Sequence, residues 1–302
     1  MDEIPKIRIG TRGSPLALAQ AQQVQGLLGA METEIVVIQT TGDTVLDRPL
    51  ADIGGKGLFS KEIDEALLDG RIDIAAHSTK DLETRMPDGI VLAVFLERED
   101  PRDAFISDKA DSLDTLPAGS VVGTSSLRRQ AQILARRPDL RVESIRGNVQ
   151  TRIKKLADGE ADATLLALAG LKRLGMADVA AEILEPDTLL PAVGQGAIGI
   201  TCRDGDITAL ESVAGLNHGP SWNRVMAERA MLAALDGSCR TPIGGLAEIN
   251  EDGVLTLRGL VAKADGSEII KATRSGPVSI AEALGRDAGE ELRLRAGPDF
   301  FE

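Results

Sequence analysis

The sequence predicts an α/β chain: two lobes on mainly parallel sheets, followed by a small C-terminal α+β domain. Three observations carry this. Short strand-like runs alternate with helical periodicity through about residue 200, the pattern of parallel βα units. Pro101 and the stretch from Leu113 to Gly119 interrupt that alternation and mark a crossing into a second lobe. After Leu216 a long helix precedes two hairpin turns, Glu251-Asp252-Gly253 and Ala264-Asp265-Gly266-Ser267.

In chain order, Ile7-Arg8-Ile9 is a short strand and Gly10-Thr11-Arg12-Gly13 a turn. Ser14 before Pro15 pairs an N-cap with an N1 proline, opening a helix with Leu16, Ala19, Val24 and Leu27 inward. Glu34 to Gln39 is the next strand. Thr40 to Gly57, ending Gly54-Gly55-Lys56-Gly57, has the composition of a mobile loop, and Ser60 then caps a helix through Leu68. Ile72 to Ala76 is a buried-type strand running into His77-Ser78-Thr79-Lys80-Asp81, and Gly89 to Leu96 is another strand. In the second lobe, Ser120 to Gly123 is a strand and Thr124-Ser125-Ser126 caps a helix starting near Leu127. Val142 to Ile145 repeats the unit, with Arg146-Gly147-Asn148 as turn and a helix carrying Arg152. Ala163 to Leu168 is the next strand, followed by a short helix with Lys172 and Arg173. Gly194 to Gly199 matches GxGxxG, yet Pro191 precedes it and Ala197 to Arg203 continues as strand, so it is no dinucleotide fingerprint. The C-terminal region has a helix from Ser221 to Leu235 and a capping box, Ser279-Ile280-Ala281-Glu282, for the last helix.

The charge is unevenly spread. Gly123 to Lys155 holds nine basic residues against Asp139 and Glu143, so this segment is +7 while the whole chain is −13. Arginine's planar fork binds carboxylate or phosphate bidentately and keeps its proton. Arg128, Arg129, Arg146 and Arg152 stand at or near strand-to-helix turns, where free N–H groups and the helix dipole favour anions; they read as anion-binding. Arg136, Arg137, Lys154 and Lys155 read as a solvated face. Arg12 occupies a further strand-to-helix corner. Aromatic residues make up 2% of the chain and the sequence pI is near 4.8, which argues against nucleic-acid binding. Two cysteines give neither a disulfide framework nor a metal set. With no signal peptide and no apolar run of transmembrane length, a soluble cytoplasmic protein is expected.

Few residues carry evident chemistry. Asp81 follows a strand end, where ligand sites of α/β sheets form, or else it caps the next turn. His77 closes an apolar strand and reads as a packed structural residue rather than a base. Cys239, in Gly237-Ser238-Cys239-Arg240-Thr241-Pro242, lies in a loop beside an arginine that would lower its pKa, whereas Cys202 reads as a buried small hydrophobe.

A series of strings spread over the whole chain resembles the porphobilinogen deaminase (hydroxymethylbilane synthase) family: TRGSPLALAQ, GGKGLF, HSTKDL, EREDPRDAF, GTSSLRRQ, SIRGNVQTRIKKL, LAGLKRLG, LPAVGQGA and GSCRTPIG. The resemblance implies an enzyme that joins four porphobilinogen units head to tail, releasing ammonia, into hydroxymethylbilane. It implies a dipyrromethane primer held by a thioether to Cys239, and Asp81 as the catalytic carboxylate. Ser78, Lys80, Ser126, Arg128, Arg129 and Arg146 match cofactor-binding positions; Arg12, Lys56, Arg146, Arg152 and Arg173 match substrate-binding ones. It further implies two lobes like periplasmic ligand-binding proteins, 1–97 with 197–215 and 98–196, plus a cysteine-bearing domain at 216–302. The expected partner is porphobilinogen alone, on a monomer with no metal, nucleic acid or membrane. Asp52, Thr79 and Glu83 depart from the family's usual Lys, Met or Leu, and Pro. A bilobal carboxylate sensor without catalysis would also explain the arginines, but it leaves Cys239 and Asp81 idle.

Overall fold

The computed structural model describes residues 6–44, 57–237, 241–298 and 300. The chain begins with β1 (Ile7–Arg12), α1 (Pro15–Leu27), β2 (Thr33–Ile38), a short α2 (Thr41–Thr44), α3 (Lys61–Leu68), β3 (Ile74–Ser78) and β4 (Ile90–Phe95). Next come β5 (Asp103–Ile106), β6 (Val121–Gly123), α4 (Leu127–Arg136), β7 (Arg141–Glu143) and α5 (Val149–Ala157). These are followed by β8 (Ala163–Ala167), α6 (Leu168–Arg173), β9 (Glu182–Leu184), β10 (Ile198–Arg203) and α7 (Ile207–Ala214). The C-terminal region is α8 (Gly219–Ala234), β11 (Ile243–Ile249), β12 (Val254–Ala262), β13 (Ile269–Pro277) and α9 (Ala281–Ala296).

Two five-stranded sheets carry the first two-thirds, in the orders β2-β1-β3-β10-β4 and β7-β6-β8-β5-β9. In each, four strands point one way and one is reversed: β10 runs antiparallel to β3 and β4, and β5 to β8 and β9. The reversed strand is in both cases the first one laid down after the chain crosses between sheets. Each sheet buries a continuous apolar core, Ile9, Val24, Ile74 and Ile200 in the first, Phe105, Val122, Ile133 and Leu165 in the second. The mainly parallel α/β architecture expected from the alternation is therefore present, with mixed pairing at the crossovers.

Local signals work as read at most helix starts. Ser14 accepts from Ala17 N, Ser126 from Arg129 N and Asn148 from Thr151 N, each satisfying an orphan donor. Three readings need correction. The last helix begins at Ala281, because a 3₁₀ turn over Val278–Ile280 absorbs Ser279 and leaves it no capping role. Ser60 precedes α3, but its hydroxyl makes no cap bond. The strand before Ser14 also runs on through Arg12 instead of turning at Gly10. Cys202 is buried in β10, as expected.

The C-terminal unit is an antiparallel sheet, β11-β12-β13, covered by α8 and α9 around Met231, Leu257 and Leu292. The two helices approach closely through glycine: a Cβ on Gly289 would stand 2.5 Å from Met231 O. Glu228 of α8 locks this unit to both crossovers. Its carboxylate accepts from Arg98 Nη1 (2.6 Å), Arg98 Nη2 (3.1 Å), Gly194 N (2.7 Å) and Ala247 N (2.8 Å). Arg98 also donates through Nε to Gln195 O. A fully buried ion pair is stabilising only when its remaining groups are bonded like this. The crossovers touch at Gly196, where a Cβ would sit 2.3 Å from Glu99 O, so only glycine fits.

Candidate active site

The site begins at the carboxyl ends of β1 and β3, which are parallel neighbours and so end on the same edge of the sheet. Arg12 ends β1; Ser78 ends β3 and leads into a 3₁₀ turn over Thr79–Asp81. Arg12 Nη1 lies 3.9 Å from Asp81 Oδ2, and both side chains are part-exposed. The same guanidinium stacks over the Phe59 ring, 4.1 Å from its centroid. Ser78 Oγ and the Gln20 amide exchange hydrogen bonds at 2.8 and 3.1 Å, which fixes the hydroxyl at the rim of the recess. His77 is buried with Nε2 3.0 Å from Thr201 Oγ1. Burial, helped by nearby Arg12, pushes it down to about 4, so it is a neutral structural histidine as read.

The second sheet supplies the facing wall. Arg128 and Arg129, on the first turn of α4, are 4% and 5% exposed and both bind Asp103 of β5. Arg128 Nη2 donates to Oδ2 at 2.8 Å; Arg129 Nε and Nη2 donate to Oδ1 at 3.1 and 2.6 Å. Further donors reach Leu190 O and Leu165 O at 2.7 and 2.8 Å. Arg128 Nε is buried without an acceptor. Burial alone would raise the Asp103 carboxyl, but the two guanidiniums outweigh it and hold it at about 2.

Gln195 joins the walls. Its Nε2 donates to Asp103 Oδ1 (3.1 Å) and Pro101 O (2.7 Å), which turns Oε1 toward Lys80 Nζ at 3.4 Å. Burial lowers the Lys80 ammonium to about 8, with Asp81 resisting and Arg129 adding to the fall. Arg152, on the first turn of α5, donates to Gly147 O at 2.9 Å. Burial and the proximity of Arg129 and Arg146 lower it to about 10, while Asp81, across the cleft, opposes this. Arg173 Nη2 donates to Gly196 O at 2.8 Å. Ser126 Oγ caps α4 by accepting from Arg129 N at 3.4 Å. By contrast Arg136, Lys154 and Lys155 pair with Asp114, Asp158 and Glu160 on the outside, the solvated face expected. Arg137, read the same way, is instead part-buried: it pairs with Asp139 and donates to Leu113 O, Asp114 O and Leu116 O.

The structure thus draws Arg12, Ser78, Lys80, Asp81, Arg128, Arg129 and Arg152 around one cleft, with Arg146 beside Arg152. Lys56, Cys239 and the departing Asp52 lie outside the described residues, as does most of the stretch read as a mobile loop. Cations around the cleft outnumber its carboxylates, Lys80 Nζ reaches an amide oxygen, Gln195 Oε1, and one arginine N–H is buried unbonded. That arrangement fits a polycarboxylate such as a dipyrromethane with acetate and propionate arms. Sequence reading missed Asp103, Gln195, Gln20 and Phe59. Gln195 sits inside the discarded glycine string, and Phe59 was visible as a rare aromatic next to a glycine-rich stretch. Among the described residues no group of three or more His, Cys, Asp or Glu could hold a metal, and no helix is long and apolar enough to cross a membrane.

Two family models together match most of this chain. Residues 7–211 match the family model of the porphobilinogen deaminase dipyromethane cofactor binding domain, and residues 222–293 that of the porphobilinogen deaminase C-terminal domain. The chloroplastic porphobilinogen deaminase of Oryza sativa subsp. japonica is 55% identical over 99% of this chain and 87% of its own length. The porphobilinogen deaminase of Paracoccus denitrificans is 56% identical over 98% of this chain and 96% of its own. Among solved structures, the methionine-binding protein MetQ is 16% identical over 76% of this chain and 93% of its own, with a TM-score of 0.45.

Proposed function

The chain belongs to the porphobilinogen deaminase family, and on that premise we propose how its residues divide the work. The reaction joins porphobilinogen units head to tail into hydroxymethylbilane, releasing one ammonia per unit, in tetrapyrrole synthesis. Residues 1–97 with 197–215 form one lobe, 98–196 the facing lobe and 216–302 the unit bearing Cys239. The observation that carries the assignment is the approach of Lys80 and Asp81 to Arg128, Arg129 and Arg152 of the facing wall across one cleft.

When bound, the dipyrromethane supplies the free pyrrole end from which the chain grows, and Cys239 is its proposed attachment. Cys202 is unsuited to that task, since burial, with Asp206 nearby, pushes its thiol up to about 11. Arg12, Lys56, Arg146, Arg152 and Arg173 hold substrate carboxylates. Lys80, Arg128, Arg129 and Arg146, with Ser78 and Ser126, hold those of the primer, Asp103 sharing the guanidiniums of Arg128 and Arg129.

Loss of ammonia from porphobilinogen leaves an azafulvene whose positive charge spreads onto the pyrrole nitrogen. Asp81 lies beside the cleft to face that charge as it develops. After the new C–C bond forms, the α-carbon of the attacking pyrrole must release its proton, and the Asp81 carboxylate is the proposed acceptor. Arg12 holds Asp81 from one side while leaving its carboxylate part-exposed toward the cleft. A cytoplasmic monomer is the proposed state, in keeping with the chain's net charge of −13.

The test is single-turnover consumption of porphobilinogen by the cofactor-loaded protein. Asp81→Asn keeps shape but removes charge and basicity, and should cost roughly 10²–10⁴ in rate. Asp81→Glu should retain more. Near-normal turnover by the Asn variant would reduce Asp81 to a turn residue.

A further inference from the structure

Three hydrogen bonds tie the segment just after Asp81 to the C-terminal unit. Thr84 Oγ1 donates to Gly237 O at 3.0 Å. Arg229 Nη2 donates to Glu83 O at 2.7 Å and to Thr84 O at 3.0 Å. Arg229 is 7% exposed, and burial lowers its pKa to about 10. Burying a guanidinium is costly unless its N–H groups are hydrogen-bonded, and here Nη2 bonds two carbonyls.

What it fixes lies at both ends. Gly237 precedes Cys239 by two residues. Its N–H donates to Leu232 O at 3.0 Å, and a Cβ there would meet Ile243 Cδ1 at 2.4 Å and Leu232 Cδ1 at 2.7 Å. Asp236, just before it, is the one non-glycine residue at positive φ (50°) among those described. Such backbone persists only where its surroundings over-determine it. At the other end Thr84 follows Asp81 by three residues, Leu82 between them is buried, and Leu82 N donates to Thr79 O. The next residue back along α8 is Glu228, already locked to the crossovers. One turn of α8 therefore holds the lobe junction through Glu228 and the catalytic segment through Arg229.

We propose that Thr84 and Arg229 are positioning residues: they pin the point where the Cys239 loop departs against the segment carrying Asp81, and so govern primer loading and presentation. This rests on the assignment of the primer to Cys239. Arg229 alone would be expected merely to hold the C-terminal unit in place. Thr84 has no such duty, because the Arg98–Glu228 lock remains without it.

Thr84→Val keeps the side-chain shape and deletes one donor; Thr84→Ser restores it. Apoprotein from a host that makes no porphobilinogen is given porphobilinogen, and the gain of dipyrrole mass is followed by intact mass spectrometry. Thr84→Val should load about two- to ten-fold more slowly, the scale of one hydrogen bond, and lose kcat in proportion with KM unchanged. Thr84→Ser should return both to the wild-type range, and Arg229→Met should be slower still. The thermal midpoint of Thr84→Val should stay near that of wild type. Loading and kcat of Thr84→Val equal to wild type would overturn the clamp. A wild-type chain that turns over at bare sequence mass would instead overturn the Cys239 assignment beneath it.

Discussion

Replacing Asp103 by Asn tests how the arginine wall is built. The carboxylate is fully buried and accepts from Arg128 Nη2, Arg129 Nε, Arg129 Nη2 and Gln195 Nε2. Its carboxyl titrates at about 2 in the fold against an ordinary value of 3.8. Because the folded value is the lower one, the pairing stabilises above about pH 4 and is lost as pH falls toward 2. That difference alone amounts to roughly 2 kcal/mol. Asn removes more, since it leaves two buried guanidiniums without counter-charge, a loss on the order of 3–5 kcal/mol. Thermal melting should fall by on the order of 10 °C. Asp114→Asn is the control: it breaks an ion pair on the same helix, but with the exposed Arg136, and should cost about 0–1 kcal/mol. A second signature separates this from ordinary core damage. With the internal carboxylate gone, loading of the primer should raise the melting point of the Asn variant more than that of wild type. Equal melting of Asp103→Asn and Asp114→Asn would refute the reasoning.

Two pH effects follow from other buried groups. His77 titrates at about 4 when folded and near 6.5 when unfolded, so stability should fall as pH drops from about 6.5 toward 4, by up to roughly 3 kcal/mol. His77→Gln should flatten that part of the stability–pH curve, and parallel curves would contradict it. Lys80 titrates at about 8, and a bound carboxylate favours its charged form. Binding at about pH 8.5 should therefore take up protons, seen by calorimetry in buffers of different ionisation heat; Lys80→Met should abolish the uptake.

How far the site was legible depended on the range of the interaction. Arg12, Asp81 and Arg152 stand within a few residues of a strand end or a helix cap, and that local grammar of small residues, caps and charge located them before any fold was known. The same grammar treated Arg128 and Arg129 as open to an outside anion. Their counter-ion comes from Asp103, on a four-residue strand whose antiparallel pairing to β8 has no local signal. Gln195 was hidden for a similar reason, since a glutamine acquires its role only when Lys80 and Asp103 arrive from two different sheets. The misplaced start of the last helix is a failure of another kind. Ser279 and Glu282 have the spacing of a capping box, but a 3₁₀ turn consumes the serine first.

The position of β10 between β3 and β4 has a consequence for how the chain is made. β3 and β4 do not pair with each other; each pairs with β10. On a ribosome, the middle of the first sheet stays open until residues 198–203 emerge. By then every strand of the second sheet, β5 to β9, has already been synthesised. The later-coded sheet can thus close first, reversing the usual N-to-C order of domain completion. A nascent chain stalled near residue 196 would expose two unpaired strand edges, flanked by Ile74, Ala76 and Val94, and such edges are templates for aggregation.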